Sequence, residues 1–362
     1  MTAAARKKTN LMGPPMPPGP ISGPSAWRGA EMAKSGEWLY ALSAAEIAEI
    51  DAALDGVKRR KLEVLDVSRD DFPLPTLGPA LDRIHQELLH GRGFTLIRGI
   101  PRQRYSTDDM AMIFWAVGTY FGRAVSQNAK GHLLGHVRDL GYKIDDPNVR
   151  TYQTTRRQYY HADSCDFVAL MCLQKARSGG YSTIVSSVTL YNEILARDPA
   201  LAAVLFEPFC VDRRGEVPPG MKPYYTIPVF NWYAGLLTSY YVRRYIESAQ
   251  RFEDVPRFTP QQLKALDLLD SLADDPSLHL QMDFDPGDIQ ILHNHQILHD
   301  RTAFEDWDEP ERKRHLLRLW LCPPDGRPIP EVFSQRWGSI EIGNRGGIRV
   351  AGAVLNAPLE PV

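Results

Sequence analysis

Apolar residues recur at helical spacing in the first third of the chain and in strand-length runs after it. Ser43 reads as an N-cap for a helix through Asp55, with Ile47, Ile50 and Leu54 on one face. A second helix is predicted over Leu77 to His90, stopped at Gly91-Arg92-Gly93, with Phe94 to Arg98 following as a strand. Thr107 or Asp108 opens a third helix, with Met110, Ile113, Phe114 and Val117 in register, ending near Gly122. From Thr151 the pattern changes. Phe167 to Leu173 is unbroken apolar sequence, as in a strand buried on both faces. Ser178-Gly179-Gly180 is a turn before a strand over Ser182 to Ser187, one short helix is expected between Thr189 and Pro199, and another starts over Pro199 to Phe206. Phe209 to Asp212 and Thr226 to Phe230 read as strands. Thr259 caps a helix with Pro260 at its first position and Leu263, Leu266, Leu269 and Leu272 facing inward. Leu278 to Phe284, Ile289 to His293 and Leu316 to Leu321 complete the strands, the first two joined by a turn at Asp285-Pro286-Gly287-Asp288. Many short strands after a helical block imply a mainly β fold, closed or sandwiched, with flanking helices as a buttress.

Residues 1 to about 35 are rich in Pro, Gly, Ala and Ser and read as a disordered tail, leaving 36–362 as a single catalytic domain. The formal net charge of −2, without a basic stripe, argues against a nucleic-acid partner. The longest apolar runs are too short to cross a membrane. The first residues lack the apolar core of a secretion signal, so a cytoplasmic protein is expected. Cys165, Cys172, Cys210 and Cys322 show no C-x-x-C spacing and read as free thiols. Cys165, two residues past Asp163, is either a small buried side chain or a soft metal ligand.

Chemistry concentrates at Tyr159-Tyr160-His161-Ala162-Asp163-Ser164. On an extended segment a His-x-Asp pair shares one face, placing an imidazole nitrogen beside a carboxylate oxygen. A third ligand would come from His293, His295 or His299. Two histidines and one carboxylate on one face of a metal is the arrangement of non-haem Fe(II) oxygenases. A zinc hydrolase site at His295-x-x-x-His299 lacks the glutamate that such a site needs, and the preceding residues read as strand. The aromatic segment from Tyr224 to Tyr245, containing Trp232, Tyr233, Tyr240 and Tyr241, suits a pocket wall or ordinary core.

Four motifs occur in one order: His161-Ala162-Asp163, Ser178-Gly179-Gly180-Tyr181-Ser182, His299-Asp300-Arg301-Thr302-Ala303-Phe304 and Arg314-His315-Leu316-Leu317-Arg318. Together they resemble the TauD/TfdA family of Fe(II)- and 2-oxoglutarate-dependent dioxygenases, from about Phe94 to Cys322. The resemblance implies a double-stranded β-helix, or jelly roll, braced by helices. It implies that His161, Asp163 and His299 bind Fe(II), with His293 and His295 in structural roles. It assigns Arg314 to the far carboxylate of 2-oxoglutarate, a suitable task for a planar and permanently charged fork. Ser182, with Thr183 sharing the task, would help hold that cosubstrate. Arg318 is either a grip on an anionic substrate or a salt bridge at the barrel rim, and Gln127 and Asn128 lie where relatives approach substrate. Asp300 stands where Gly is common, and Glu305 to Glu309 form an acidic insertion expected to be solvated.

The implied reaction consumes O2 and 2-oxoglutarate, releases succinate and CO2, and oxidises an aliphatic C–H of a small, anionic substrate. The carboxylate at position 163 favours hydroxylation over halogenation. Two other readings remain open at this point: a non-catalytic small-acid or metal binder on the same scaffold, and a peptide or protein hydroxylase recruited through the proline-rich tail. The resemblance also allows a homo-oligomer.

Overall fold

In a computed structural model the described residues are 16–142, 149–218, 220–348, 350 and 352–361. Two sheets carry the fold. The larger runs in the order Leu39–Ala41, Phe94–Arg98, Ile289–His293, Phe167–Gln174, His315–Cys322 and Arg123–Ala124, with Leu134–Val137 also paired to His315–Cys322. The smaller runs His279–Met282, Ser182–Ser186, Ile297–Arg301, Gln158–His161, antiparallel throughout. Period two sorts the side chains of both. Val168, Cys172, Leu292, Leu316 and Trp320 from the larger sheet meet Ile184, Leu280, Met282 and Ile297 from the smaller in one shared core. The intervening residues face out. Phe167, Ala169, Met171, Leu317 and Leu319 pack on the helices Ala44–Arg60, Leu77–His90 and Thr107–Gly118. Tyr160, Val185 and Leu298 pack on Ser187–Arg197, Pro199–Val204 and Pro260–Ala273. This is the double-stranded β-helix with helices on both outer faces.

Local sequence explains most boundaries. Ser43 and Glu46 form a reciprocal capping box, and the helix runs on to Arg60. Thr107 opens the third helix as expected, with Ser106 as its cap, and the helix ends at Gly118 rather than near Gly122. Thr259 and Pro260 start their helix as expected, burying Leu266, Leu269 and Leu272, but Leu263 is 38% exposed because it lies off the buried stripe.

The expected tail is corrected over residues 16–35. Ile21 exchanges hydrogen bonds with the Asn192 side chain (2.8 Å each way). The Trp27 indole is buried and donates to Arg92 O at 3.0 Å. A helix, Gly29–Ser35, then lies on strand His279–Met282. Gly29 makes that contact possible, since a Cβ there would stand 1.8 Å from His279 O. Prolines restrict the unfolded chain, so a few apolar anchors suffice to hold this strap. Residues 1–15 of the predicted tail lie outside the described residues.

Candidate active site

His299 sits in the middle of strand Ile297–Arg301, directly opposite His161 at the end of Gln158–His161. Cross-strand pairing brings the two rings to 4.1 Å between centroids. Asp163 follows on the turn after His161, its amide donating to Asn294 Oδ1 at 3.1 Å. Its carboxylate oxygens lie 3.8 Å from His161 Nε2 and 3.9 Å from His299 Nε2. One ligand atom from each of the three lies within 4.8 Å of the others, and all three residues are buried or nearly so.

Protonation states suit a cation. Burial, then the neighbouring His161, push His299 down to about 3, so its ring is neutral near pH 7. Burial pushes the Asp163 carboxyl up, but Arg318, the two imidazoles and the Trp320 indole more than offset this and hold it below the usual carboxylate range. Trp320 Nε1 donates to Asp163 Oδ2 at 2.8 Å, and Arg318 Nη1 lies 3.4 Å from the same oxygen. His161 Nδ1 donates to Tyr159 O at 2.9 Å, which leaves Nε2 as the lone pair facing the cluster. The Gln158 amide donates to that Nε2 at 2.8 Å, a contact a metal would displace.

Beside the cluster, a narrow cavity is lined by His161, Ser182, His299, Arg301, Arg314 and Arg318. Arg314 Nη2 donates to Gly180 O at 3.4 Å, while Nη1 is buried with no partner. Gly180, at φ +71°, is needed here: a Cβ would come within 2.9 Å of Arg314 Nε. Arg301 shares the inward face with His299, two residues on; its Nε and Nη1 are also buried without partners. Burial lowers the Arg314 pKa to about 10 and, together with the Arg314 charge, lowers that of Arg301 to about 9. Guanidinium does not deprotonate at these values, so the direction marks two cations in need of an anion. Ser182 faces the same cavity and is bonded to Gln290 (3.1–3.2 Å).

Several expected site residues are elsewhere. Thr183 points to the opposite face and bonds Asp300 Oδ1 at 3.1 Å, because adjacent strand residues cannot share a face. Asn128 folds its own loop, bonding His132 and Lys130, and lines a separate small cavity. Gln127 lines a second cavity on the other side of the cluster, but its Oε1 accepts from Arg318 Nε (2.7 Å) and its Nε2 donates to the carbonyls of Leu133 and Arg318. Arg318 is not at the rim; it is 6% exposed between Asp163 and Gln127. Asp300 pairs with Arg157 Nε at 2.7 Å on the outer face. The acidic insertion is partly structural, since Asp306 accepts from the Arg314 amide at 2.6 Å. His295 binds Asp166 at 2.8 Å and Cys165 accepts from Asn294 at 3.0 Å, so neither joins the cluster. Sequence reasoning missed Arg301, which period two from His299 would have found. It also missed Arg336.

Arg336 enters from the short helix Ser334–Trp337 and lines a larger cavity of about 720 Å³. That cavity opens onto His161, Asp163, Arg318 and Trp320, with Tyr152 and Tyr240 in its walls.

The sequence profile of the taurine catabolism dioxygenase TauD, TfdA family matches residues 58–320. The chain belongs to this family and is an oxidoreductase of the dioxygenase class, dependent on Fe(II) and 2-oxoglutarate. It is 32% identical over 324 residues to FR-33289 synthase of Streptomyces rubellomurinus, covering 88% of this chain and 95% of the relative. It is 29% identical over 177 residues to a uridine-5′-phosphate dioxygenase of an Amycolatopsis species, covering 46% and 62%. Among solved structures, asparagine oxygenase in complex with Fe(II), a 3-hydroxyasparagine and succinate aligns with a TM-score of 0.61 at 15% identity, covering 79% and 93%; this likeness establishes the fold. No helix among the described residues is long and apolar enough to cross a membrane.

Proposed function

We propose that His161, Asp163 and His299 hold Fe(II), that Arg314, Arg301 and Ser182 hold the far carboxylate of 2-oxoglutarate, and that a small anionic molecule is oxidised in the larger cavity. One observation carries this reading: a cluster of two histidines and one carboxylate lies beside two buried arginines that each carry orphaned donors. A carboxylate accepting from both forks would satisfy them with charge-assisted bonds. When bound, Fe(II) and 2-oxoglutarate supply the oxidising equivalents from O2, with the keto acid leaving as succinate and CO2.

The protein's own groups do positioning work. Trp320 and Arg318 restrain Asp163 Oδ2, and Gln127 fixes Arg318 in turn. Tyr152 and Trp320 lie 4.7 and 5.1 Å from the Arg318 guanidinium and help to screen the centre from solvent. Arg318 keeps positive charge at the cavity floor, which favours an anionic substrate. The uridine-5′-phosphate named for one relative supports the same class. A cytoplasmic setting belongs to this reading, supported by four cysteines present as free thiols.

Anaerobic addition of Fe(II) and 2-oxoglutarate should produce the charge-transfer absorbance of a keto-acid chelate on iron. His299→Ala and His161→Ala should abolish it, along with substrate-dependent succinate release. A variant that keeps full absorbance and turnover in a metal-verified preparation would sink the ligand assignment.

A further inference from the structure

Regular strand alternation would turn Gln158 away from the metal cluster. Counting back from His161, which faces inward, Tyr160 faces out, Tyr159 in and Gln158 out. The ladder against Ile297–Arg301 departs from this, pairing His161 with His299 and Gln158 with Arg301. Tyr159 and Tyr160 thus lie between the paired positions on one strand and Asp300 alone on the other, which is a β-bulge. Tyr160 keeps its place in the outer core. Tyr159 takes up the extra position and is 65% exposed, with the Arg157 guanidinium 4.6 Å from its ring centre. The shift returns Gln158 to the inner face.

The bulge does two things for the site. It aims Tyr159 O at His161 Nδ1 (2.9 Å), which fixes the ring with Nε2 toward the cluster. It also sets the Gln158 amide nitrogen 2.8 Å from that same Nε2. Gln158 lines both cavities, the narrow one with Arg301 and Arg314 and the larger one with Tyr240 and Arg336. Its neighbour across the ladder is Arg301, with two orphaned donors; its neighbour along the strand face is His161. Any molecule that reaches from the orphaned arginine donors to the cluster passes this side chain. With His161 Nε2 given to a metal, the Gln158 N–H needs another acceptor, because a half-buried donor left unpaired is destabilising.

We propose that Gln158 is a positioning residue for 2-oxoglutarate, its amide donating to the metal-binding end of the keto acid while Arg314 and Arg301 hold the far carboxylate. This rests on the dioxygenase reading above and adds a third point of attachment to it. Two arginines at one end and a metal at the other leave the keto acid free to roll about its long axis. A donor beside His161 removes that freedom. A neutral amide suits the position: a glutamate there would repel the keto acid's own carboxylate, and a lysine would add a further cation beside Arg301 and Arg314.

The test is anaerobic titration of the Fe(II)-loaded full chain with 2-oxoglutarate, following the charge-transfer band. Gln158→Leu should weaken 2-oxoglutarate about tenfold. It should also move the band to shorter wavelength, because a donor at the chelating end stabilises the negative charge that the transition places there. Gln158→Glu keeps the shape but replaces the donor with a negative charge, and should weaken 2-oxoglutarate about 100-fold. Arg314→Gln acts at the other end and should lower affinity without moving the band. Fe(II) affinity measured without the keto acid should be unchanged or higher in Gln158→Leu, which shows that the variant folds and loads. An unshifted band in Gln158→Leu, with or without a loss of affinity, would overturn the Gln158 assignment alone. So would weaker Fe(II) binding without the keto acid, which would make Gln158 a support of the metal ligands. Absence of the band from the wild-type protein would overturn the parent reading and this one with it.

Discussion

Arg345 and Arg314 are both almost wholly inside the protein, at 0% and 4% exposure, in opposite circumstances. Arg345 places Nε 3.1 Å from both oxygens of Asp166 and Nη2 2.5 Å from one, and spends its remaining donors on the carbonyls of Arg327 and Ile340. Asp166 also binds His295. Arg345, Asp166 and His295 thus satisfy one another within the chain. Arg314, with Arg301 beside it, has no carboxylate on its guanidinium among the described residues and carries an orphaned donor. Both clusters face the same fold, so burial alone does not distinguish structure from function. Satisfaction does. A network the chain closes by itself contributes to folding, and one left open is shaped for a ligand.

The difference has measurable signs. Asp166→Asn should cost about 3–5 kcal/mol of stability, because it strips the partner from a buried cation. Urea unfolding of the metal-free protein measures this, and the loss should not depend on 2-oxoglutarate. Arg314→Gln should do the reverse. Its apparent affinity for 2-oxoglutarate, read from the anaerobic absorbance, should fall about 100-fold with the loss of a charge-assisted fork. Its stability without cosubstrate should be unchanged or higher, since an uncompensated charge is gone. A stability loss like that of Asp166→Asn would place Arg314 with the structural network instead. Arg301→Gln should weaken 2-oxoglutarate about tenfold by the same route, being the second of two donors to one carboxylate.

Much of this arrangement was legible in the sequence where a periodic rule applies. Unbroken apolar residues from Phe167 to Leu173 marked a strand buried on both faces, and the chain pairs it on both edges. The spacing of His161 and Asp163, with the ordered motifs after them, marked the residues that converge in space. Parity was available but not applied at two points. Ser182 and Thr183 cannot both face inward, and a residue two past His299 must share its side. Other features have no periodic signature. Arg336 lies on a four-residue helix near the end of the chain, and only tertiary packing brings it beside Ser164. The strap from residue 16 has the composition of a linker, yet Ile21 and Trp27 anchor it through backbone and indole bonds. Asp300 departed from the family pattern without harm, because it faces outward, where Arg157 neutralises it.

The smallest effect separates the closed network from the open one by its pH response. Burial lowers the His295 pKa to about 4, with Asp166 pulling it up and Arg345 pushing it down again, whereas an unfolded histidine titrates near 6.5. The folded state therefore binds fewer protons than the unfolded state between these values. Its contribution to stability is fully present above about 6.5 and declines as the pH falls toward 4. From pH 7 to pH 6 one such histidine should cost about 0.7 kcal/mol. His295→Gln should make the wild-type slope shallower by that amount in metal-free protein, whatever it does to absolute stability. Parallel slopes would mean that His295 is protonated against Asp166 in the folded state, and the network would then be an ion triad rather than a neutral imidazole donating to a carboxylate.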